Sequence, residues 1–210
     1  MKKSHKALAA LAIINILILI AGCTQIAPGD SGKDLVPISS IGILPANATG
    51  YLPSGEEAPA ELTEGVETVD SLLADYFAGY QNVNLIPLGA LQGLTYSDSG
   101  KLLYLAREAG QQLHYDAVLV TTVERYQERD GSDYAVITPA SVAFSLKLLA
   151  MENGQVIWSS EFNQTQQPLL DNILPKTRST GSGFRWLTAK QLISAGLNKK
   201  LNNCPYFKRD

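Results

Sequence analysis

The stretch that decides the fold runs from Ser141 to Phe162 and reads Ser-Val-Ala-Phe-Ser-Leu-Lys-Leu-Leu-Ala-Met-Glu-Asn-Gly-Gln-Val-Ile-Trp-Ser-Ser-Glu-Phe. Asn153-Gly154 near its centre supplies the two positive-φ residues of a type I′ turn, which predicts a β-hairpin with a two-residue connection. In that register Met151 faces Val156 and Leu149 faces Trp158. Alternate residues then place apolar side chains on both faces of the hairpin. A sheet of this kind is covered on both faces, or is covered on one and docked to a partner or membrane on the other.

The segments around the hairpin alternate between strand and helix patterns. Aliphatic and β-branched runs predict strands, and apolar residues at steps of three and four predict helices. The expected elements are a strand within 35–45, a loop over 47–60, a helix over 61–80, a strand at 83–88, a helix over 102–113, a strand at 116–123 and a helix over 188–201. This order predicts an α/β fold, with a mixed sheet of about five strands and helices packed on it.

Charged residues alternate from Glu124 to Asp130, directly after the best strand pattern in the chain. The segment is typical of a solvated hairpin arm that extends the strand out of the sheet as a polar ribbon. The alternative is a partner-binding edge, since an exposed strand can recruit another chain by β-addition.

The amino terminus has the proportions of a signal peptide. Lys2, Lys3 and Lys6 precede an apolar run from Ala7 to Gly22, which is shorter than the ~20 residues that a membrane-spanning helix needs. The end of this run, Ile-Ala-Gly followed by Cys23, resembles the lipobox of bacterial lipoproteins. That resemblance implies acylation of Cys23, with palmitate among the chains, and cleavage between Gly22 and Cys23. The alternative is an uncleaved anchor helix with an incidental cysteine.

The chain then divides by composition into further segments. Residues 1–22 are the expected signal peptide, and the polar, glycine-containing residues 23–33 are a flexible tether. Residues 34–203 form a single α/β domain, and 204–210 form a polar tail. With Cys23 occupied by lipid, Cys204 has no intrachain partner. It is therefore a free thiol, an intermolecular link or an incidental cysteine.

Composition and motifs argue against several classes of function. The formal net charge is −3, whereas nucleic-acid binding needs clustered Lys and Arg, so no nucleic-acid partner is expected. After removal of the leader one histidine remains, His114, which leaves zinc without ligands and favours a core or surface role. No phosphate-cradling loop or nucleophile-elbow motif occurs either. We expect no enzyme activity, no cofactor and no metal.

The segment from Arg178 to Trp186 combines glycines and serines with cations and aromatics. Phe184 and Trp186 favour a membrane interface, and Arg178 and Arg185 favour phosphates or other anions. These four residues are the predicted contact with a partner, a glycan or a membrane. The alternative is an ordinary surface loop.

The element order, the Gly-Ile-Leu-Pro first strand (residues 42–45) and the Val-Ile-Trp step at residues 156–158 resemble a known group. They are similar to periplasmic lipoproteins with the fold of the TolB amino-terminal domain, of the CsgG, LpoB and PelC type. The resemblance covers residues 34–165, and residues 166–186 have no counterpart. It implies a non-enzymatic protein that acts through protein contacts in assembly or export of an envelope component, with a homo-oligomer as one form. The alternative is an LpoB-like regulator of a peptidoglycan-synthesising enzyme.

Thr24 bears on the expected location. In enterobacterial-type sorting, Asp after the lipidated cysteine retains a lipoprotein in the inner membrane. Thr24 therefore implies an outer-membrane lipoprotein that faces the periplasm, or a cell-membrane lipoprotein if the source has one membrane.

Overall fold

The structure is a computed structural model that describes residues 35–51, 58–91, 101–132, 135–166 and 186–208. Contacts between Cα atoms divide the chain between Val36 and Pro37, and every described helix and strand belongs to the part from Pro37 onward. None of the described helices is both long enough and apolar enough to cross a bilayer. The predicted signal peptide and tether lie outside the described residues.

The predicted helices and strands occur in the predicted order, and three short strands occur in addition: Asn47–Ala48, within the segment 47–60 that was predicted to be a loop, Asp130–Gly131 and Val136–Thr138. The elements are β1 (Ile41–Ile43), β2 (Asn47–Ala48), α1 (Ala60–Phe77), β3 (Val83–Leu85), a 3₁₀ turn (Leu88–Leu91), α2 (Lys101–Gln112), β4 (Ala117–Gln127), β5 (Asp130–Gly131), β6 (Val136–Thr138), β7 (Ser141–Ala150), β8 (Val156–Thr165), α3 (Ala189–Asn202) and a second 3₁₀ turn (Pro205–Phe207).

The main sheet has six described strands and mixed direction. Its order is β3-β1-β4-β7-β8, with β2 paired to β4. The neighbours β1/β3, β1/β4 and β2/β4 are parallel, whereas β4/β7 and β7/β8 are antiparallel. The predicted α/β fold with a mixed sheet is therefore confirmed.

Helices cover both faces of this sheet, as the doubly apolar hairpin pattern predicts. One face packs against α1 and α3 and holds the larger core, in which Phe144, Leu146 and Leu148 of β7 are buried. The opposite face packs against α2, and there Leu149 and Met151 belong to a second core. Of the two alternatives for a doubly apolar sheet, coverage on both faces is the one observed over this part of the sheet.

The hairpin forms as predicted, but its register differs. The prediction paired Met151 with Val156, whereas the structure pairs Leu149 with Val156 and Leu148 with Trp158, with an irregularity between the two pairs. Of Asn153 and Gly154 only Gly154 has positive φ (67°), so the connection is not a type I′ turn. The Met151 N–H donates to Asp116 O at 2.8 Å, which continues the β4–β7 ladder. Met151 pairs with Asp116 and packs in the second core, so it does not pair with Val156. The loop is therefore longer than the predicted two residues.

Two of the early strands are shorter than the sequence predicts. Within residues 35–45 only Ile41–Ile43 is a strand, because the N–H groups of Ser39 and Ser40 donate to Asp116 Oδ2 at 2.9 and 3.0 Å instead of to a neighbouring strand. The strand expected at 83–88 ends at Leu85, and a 3₁₀ turn follows Pro87. The helix predictions for α1, α2 and α3 are confirmed to within a few residues.

The start of α3 is capped by side chains. Gln191 N–H donates to the Thr188 hydroxyl at 3.1 Å, and the Gln191 side chain accepts from Thr188 N–H at 3.0 Å. This capping box satisfies two donors at the helix start. Glu128 Oε2 accepts a third, from Ala189 N at 3.0 Å, and so links the end of β4 to α3.

Candidate functional site

Most of the residues predicted to form sites lie outside the described residues, namely Gly22, Cys23, Arg178, Phe184 and Arg185. Trp186 is the exception, and only 9% of its surface is exposed. The prediction placed this ring on a membrane or a partner. The structure instead buries it at the entry to α3, so it is not free to insert into a bilayer.

His114 follows α2, which ends at Gln112, and it belongs to no group of three potential metal-binding side chains among the described residues. Its side chain is exposed and its φ is +58°, the left-handed region. Its N–H donates to Gln111 O at 3.3 Å, and Tyr115 N–H donates to Gly110 O at 2.9 Å. This pair of bonds is the Schellman arrangement, in which the left-handed position is usually occupied by glycine. His114 therefore serves as a helix cap on the surface, one of the two roles that the sequence favours.

Cys204 is buried beside the core, with 1% of its surface exposed. Burial raises the pKa of its thiol to about 11, so the nucleophilic thiolate is scarce at neutral pH. Of the alternatives left open by the sequence, the structure favours a free buried thiol over an intermolecular link. Phe207 is buried as well, so Cys204–Phe207 packs on the domain, whereas the sequence assigns these residues to a polar tail.

The described parts of the chain hold no group of three His, Cys, Asp or Glu side chains arranged to bind a metal. Their polar clusters serve the fold instead. For example, the groove between α1 and α3 has a volume of about 730 Å³. In it the Tyr76 hydroxyl donates to Asn202 Oδ1 at 2.8 Å and the Tyr80 hydroxyl donates to Phe207 O at 3.2 Å. These bonds tie α1 to α3 and to the C-terminal turn.

The charged segment after β4 proves to have two parts. Residues up to Gln127 belong to β4, a central strand that pairs with β7 along its length, and Tyr126 is buried there under α1. The alternative of a partner-binding edge is therefore wrong for these residues, because both sides of β4 are paired, one with β1 and the other with β7. A hairpin arm does leave the sheet, but it begins at Asp130, where β5 pairs with β6, and it exposes Ile137 to 83%.

The described sheet ends at the three-residue β3 on one side and at β8 on the other, and β8 is the longer edge that a partner could pair with. It lies at the end of the strand order, is ten residues long, and pairs only with β7 among the described residues. Gln166 N–H donates to Ala140 O at 3.0 Å, in continuation of the β7–β8 ladder. Because hydrogen-bonding directions alternate along an antiparallel strand, the backbone groups of Ser159, Glu161 and Asn163 point away from β7. Pairing with these groups requires an extended polypeptide.

The two faces of β8 differ in chemistry. On the side of α3, Trp158 and Phe162 are half-buried. The Phe162 ring stacks on the Phe144 ring with 5.2 Å between ring centroids, and the Trp158 ring packs edge-on against the Phe207 ring with 6.4 Å between centroids. On the opposite side the strand presents hydroxyl, amide and carboxylate groups. The edge is thus amphipathic, with an aromatic side and a polar side.

A hydrogen-bonded network holds the polar side of β8 to its neighbours. Arg125 Nε donates to Ser141 Oγ at 2.6 Å and Arg125 Nη2 donates to Asn163 Oδ1 at 2.6 Å. Ser141 Oγ also lies 2.6 Å from Thr165 Oγ1, with either hydroxyl as donor. The network spans β4, β7 and β8, so it fixes the edge strand on the sheet. The edge role of β8 was missed from the sequence, although a last hairpin strand with no strand pattern after it indicates one.

Comparison with protein-family models gives no match, and comparison with curated proteins gives none either. Several solved structures are similar to this chain. One is the PelC dodecamer from Paraburkholderia phytofirmans, with 17% sequence identity, a TM-score of 0.41, and coverage of 76% of this chain and 85% of that chain. A second is the lipoprotein GNA1162 from Neisseria meningitidis, with 18% identity, a TM-score of 0.40, and coverage of 79% and 98%.

A third similar structure is the LpoB C-terminal domain from Salmonella enterica, with 19% identity, a TM-score of 0.37, and coverage of 63% of this chain and 87% of that chain. PelC and LpoB are also members of the group that the sequence resembles. The sequence identity to each of these three proteins is below 20%.

Proposed function

We propose that this protein is a lipid-anchored, periplasm-facing envelope protein that acts through protein contacts in the assembly or export of an envelope component. Acylated Cys23 is the anchor in the outer membrane, or in the cell membrane of a source that has one membrane, and the short tether of residues 23–33 keeps the domain close to the bilayer. The lipobox and the resemblance to TolB-like lipoproteins support the location.

The observation that carries the contact function is the outer side of β8. Alternate residues of this ten-residue strand direct their backbone groups there, and no described residue pairs with those groups. Natural sheets usually blunt such an edge with lysine, proline or a covering segment, because it templates pairing with another chain. The ten residues of β8 include neither proline nor lysine. An edge in this state is suited to β-addition.

Deletion of the gene in the source bacterium, with complementation by variants, tests this function. We expect deletion to impair export or assembly of an envelope component, and the wild-type gene to restore it. Glu161→Pro should fail to restore it, because proline removes an outward N–H of β8, whereas Glu161→Gln, which keeps that N–H, should succeed. Full restoration by Glu161→Pro would contradict a function based on this edge.

Two further readouts separate the competing classes. A regulator of a peptidoglycan-synthesising enzyme would show reduced peptidoglycan crosslinking on deletion, with export intact. If the protein were an enzyme that uses His114, the folded His114→Ala variant would fail to complement the deletion. If it acts through contacts at β8, the same variant should complement fully.

A further inference from the structure

We propose that β8 pairs with β8 of a second copy of this chain, antiparallel, around a two-fold axis at Ser160. The inference rests on the contact function proposed above and names the partner of the edge. It follows from three properties of β8: the direction of its backbone groups, the pattern of its aromatic residues and the position of its one charge.

The backbone satisfies the first requirement. Ser159 and Glu161 both direct their N–H and C=O groups away from β7, as the alternation from the Gln166–Ala140 bond requires. When Ser160 of one copy faces Ser160 of the other, Ser159 lies opposite Glu161 and Glu161 lies opposite Ser159. Each of these pairs exchanges two backbone hydrogen bonds. The two sheets then join into one continuous sheet.

In the same register, the aromatic sides of the two β8 strands are complementary to each other. Trp158 of one copy lies opposite Phe162 of the other. The two-fold axis generates a second, identical pair. Both rings are half-buried in the single chain. Aromatic pairs across neighbouring strands are among the favourable pairs in antiparallel sheets. At the axis itself the small Ser160 side chains leave room for the four rings.

The single charge of β8 selects this register over its neighbours. In the register centred at Ser160, Glu161 faces Ser159. Moving the axis to Glu161 would place the two carboxylates directly opposite each other, which is unfavourable. Moving it to Ser159 would place Trp158 opposite Ser160 and lose the aromatic pairs. A shift of one residue in the pairing would bring the polar side of one copy to the aromatic side of the other.

Disulfide trapping in the full-length, detergent-solubilised protein tests the pairing. At the axis Ser160 forms a non-hydrogen-bonded pair with its copy, with Cα atoms about 4.5 Å apart, within the roughly 4.4–6.8 Å that a disulfide spans. Ser160→Cys should therefore give a covalent dimer on mild oxidation. Asn163→Cys is the matched control, since its two copies are separated by about six residues of strand and cannot link. The native Cys204 is buried and adds little background.

Light scattering on the same preparations gives an independent measurement. We expect the wild-type protein and Glu161→Gln to have an even number of copies, and Glu161→Pro to have half the mass with the thermal midpoint changed by only a few degrees. A monomeric wild-type protein would overturn the proposal. So would an oligomer in which Ser160→Cys does not link, or links no better than Asn163→Cys.

The same variants distinguish failure of this inference from failure of the proposed function. If the wild-type protein is monomeric but Glu161→Pro still fails to complement, β8 binds a different polypeptide and only the pairing of two copies is wrong. If Glu161→Pro complements fully and the wild-type protein is monomeric, both proposals are wrong.

Discussion

Asp70 on α1 connects the helix to the bend between β1 and β2. Its Oδ1 accepts the Ala46 N–H at 2.7 Å, and Ala46 itself is buried. Burial raises the pKa of the Asp70 carboxyl above its usual value of 3.8, although the bond from Ala46 opposes the shift. Asp70 is therefore a structural acceptor whose charged form is disfavoured by the fold.

We predict that Asp70→Ala lowers the free energy of unfolding by about 1–3 kcal/mol, because the Ala46 N–H loses its acceptor in a buried position. Asp70→Asn keeps an oxygen in place and should cost far less. Urea unfolding of the two variants and the wild-type protein at pH 7 checks this. Equal losses for Ala and Asn would contradict the role of the hydrogen bond.

The pH dependence of Asp70 has a defined sign. A carboxyl whose pKa is raised by folding stabilises the native state fully below its unfolded pKa, near 3.8, and loses that contribution as the pH rises through the folded pKa. The stability of Asp70→Asn relative to the wild-type protein should therefore be more favourable at pH 7 than near pH 4. An advantage that grows on acidification would reverse the sign and refute the effect of burial.

His114 carries a second residue-scale prediction. Its φ of +58° is unfavourable for any side chain with a Cβ atom and costs glycine nothing. His114→Gly should raise the free energy of unfolding by about 0.5–1 kcal/mol, and His114→Ala should not, since alanine keeps the strain. Thermal unfolding measures both. A gain with alanine equal to that with glycine would show that the imidazole, rather than the backbone, is the source of the cost.

Elements of the fold approach one another closely where glycine replaces a side chain. A Cβ atom at Gly65 of α1 would lie 2.7 Å from Cβ of Tyr126 on β4, and one at Gly196 of α3 would lie 2.9 Å from the Phe162 ring on β8. A Cβ at Gly110 of α2 would overlap with Met151. All three helices thus lie close to the sheet at a glycine.

At the element scale we predict that Gly65→Ala destabilises the protein by about 1–3 kcal/mol, because the contact is with a Cβ atom that cannot rotate away. The higher helix propensity of alanine, worth about 1 kcal/mol, should be outweighed. Gly89→Ala is the control, since no atom lies within 4 Å of its added Cβ. Denaturant unfolding compares the two. A stabilised Gly65→Ala would show that α1 can move off the sheet at little cost.

At the scale of the whole molecule, the proposed function requires both the lipid anchor and the domain. The domain presents the β8 edge, and the proposed lipid on Cys23 confines that edge to a layer near the membrane surface. Confinement raises the local concentration of copies, which favours pairing between them. Two or three acyl chains are enough for stable attachment, at about 0.8 kcal/mol per buried CH₂.

We predict that Cys23→Ser abolishes incorporation of labelled palmitate and releases the protein from the membrane fraction. Cys204→Ser, the matched control, should remain labelled and membrane-bound, because Cys204 is buried in the domain. Fractionation and labelling of cells that express each variant provide the measurement. Membrane retention of Cys23→Ser would favour the alternative of an uncleaved anchor helix.

Local patterns were enough to predict the three described helices and five of the eight described strands. Helical spacing of Val69, Leu73 and Phe77 placed α1, and these three side chains are buried. The helix predicted over 188–201 is α3, which begins at Ala189 after the capping residue Thr188. Alternation along β7 correctly predicted that this strand contributes apolar side chains to both faces of the sheet, although one side of β8 is polar. Such signals are local, since a residue and its neighbours three or four positions away share a helix face and alternate residues share a strand face.

The register of the hairpin, the burial of Trp186 and Cys204, and the exposed edge all depended on the tertiary structure. The position of Met151 is fixed by the hydrogen bond from its N–H to Asp116 O, and Asp116 lies 35 residues earlier in the chain. Among the described residues, the outer side of β8 is unpaired because the strand order places β8 last. The sequence by itself determined the order of the helices and of the five predicted strands, and the resemblance of residues 20–23 to a lipobox, because these depend on neighbouring residues. The tertiary structure decided which groups are satisfied and which strand remains open, because those outcomes depend on contacts between residues far apart in the chain.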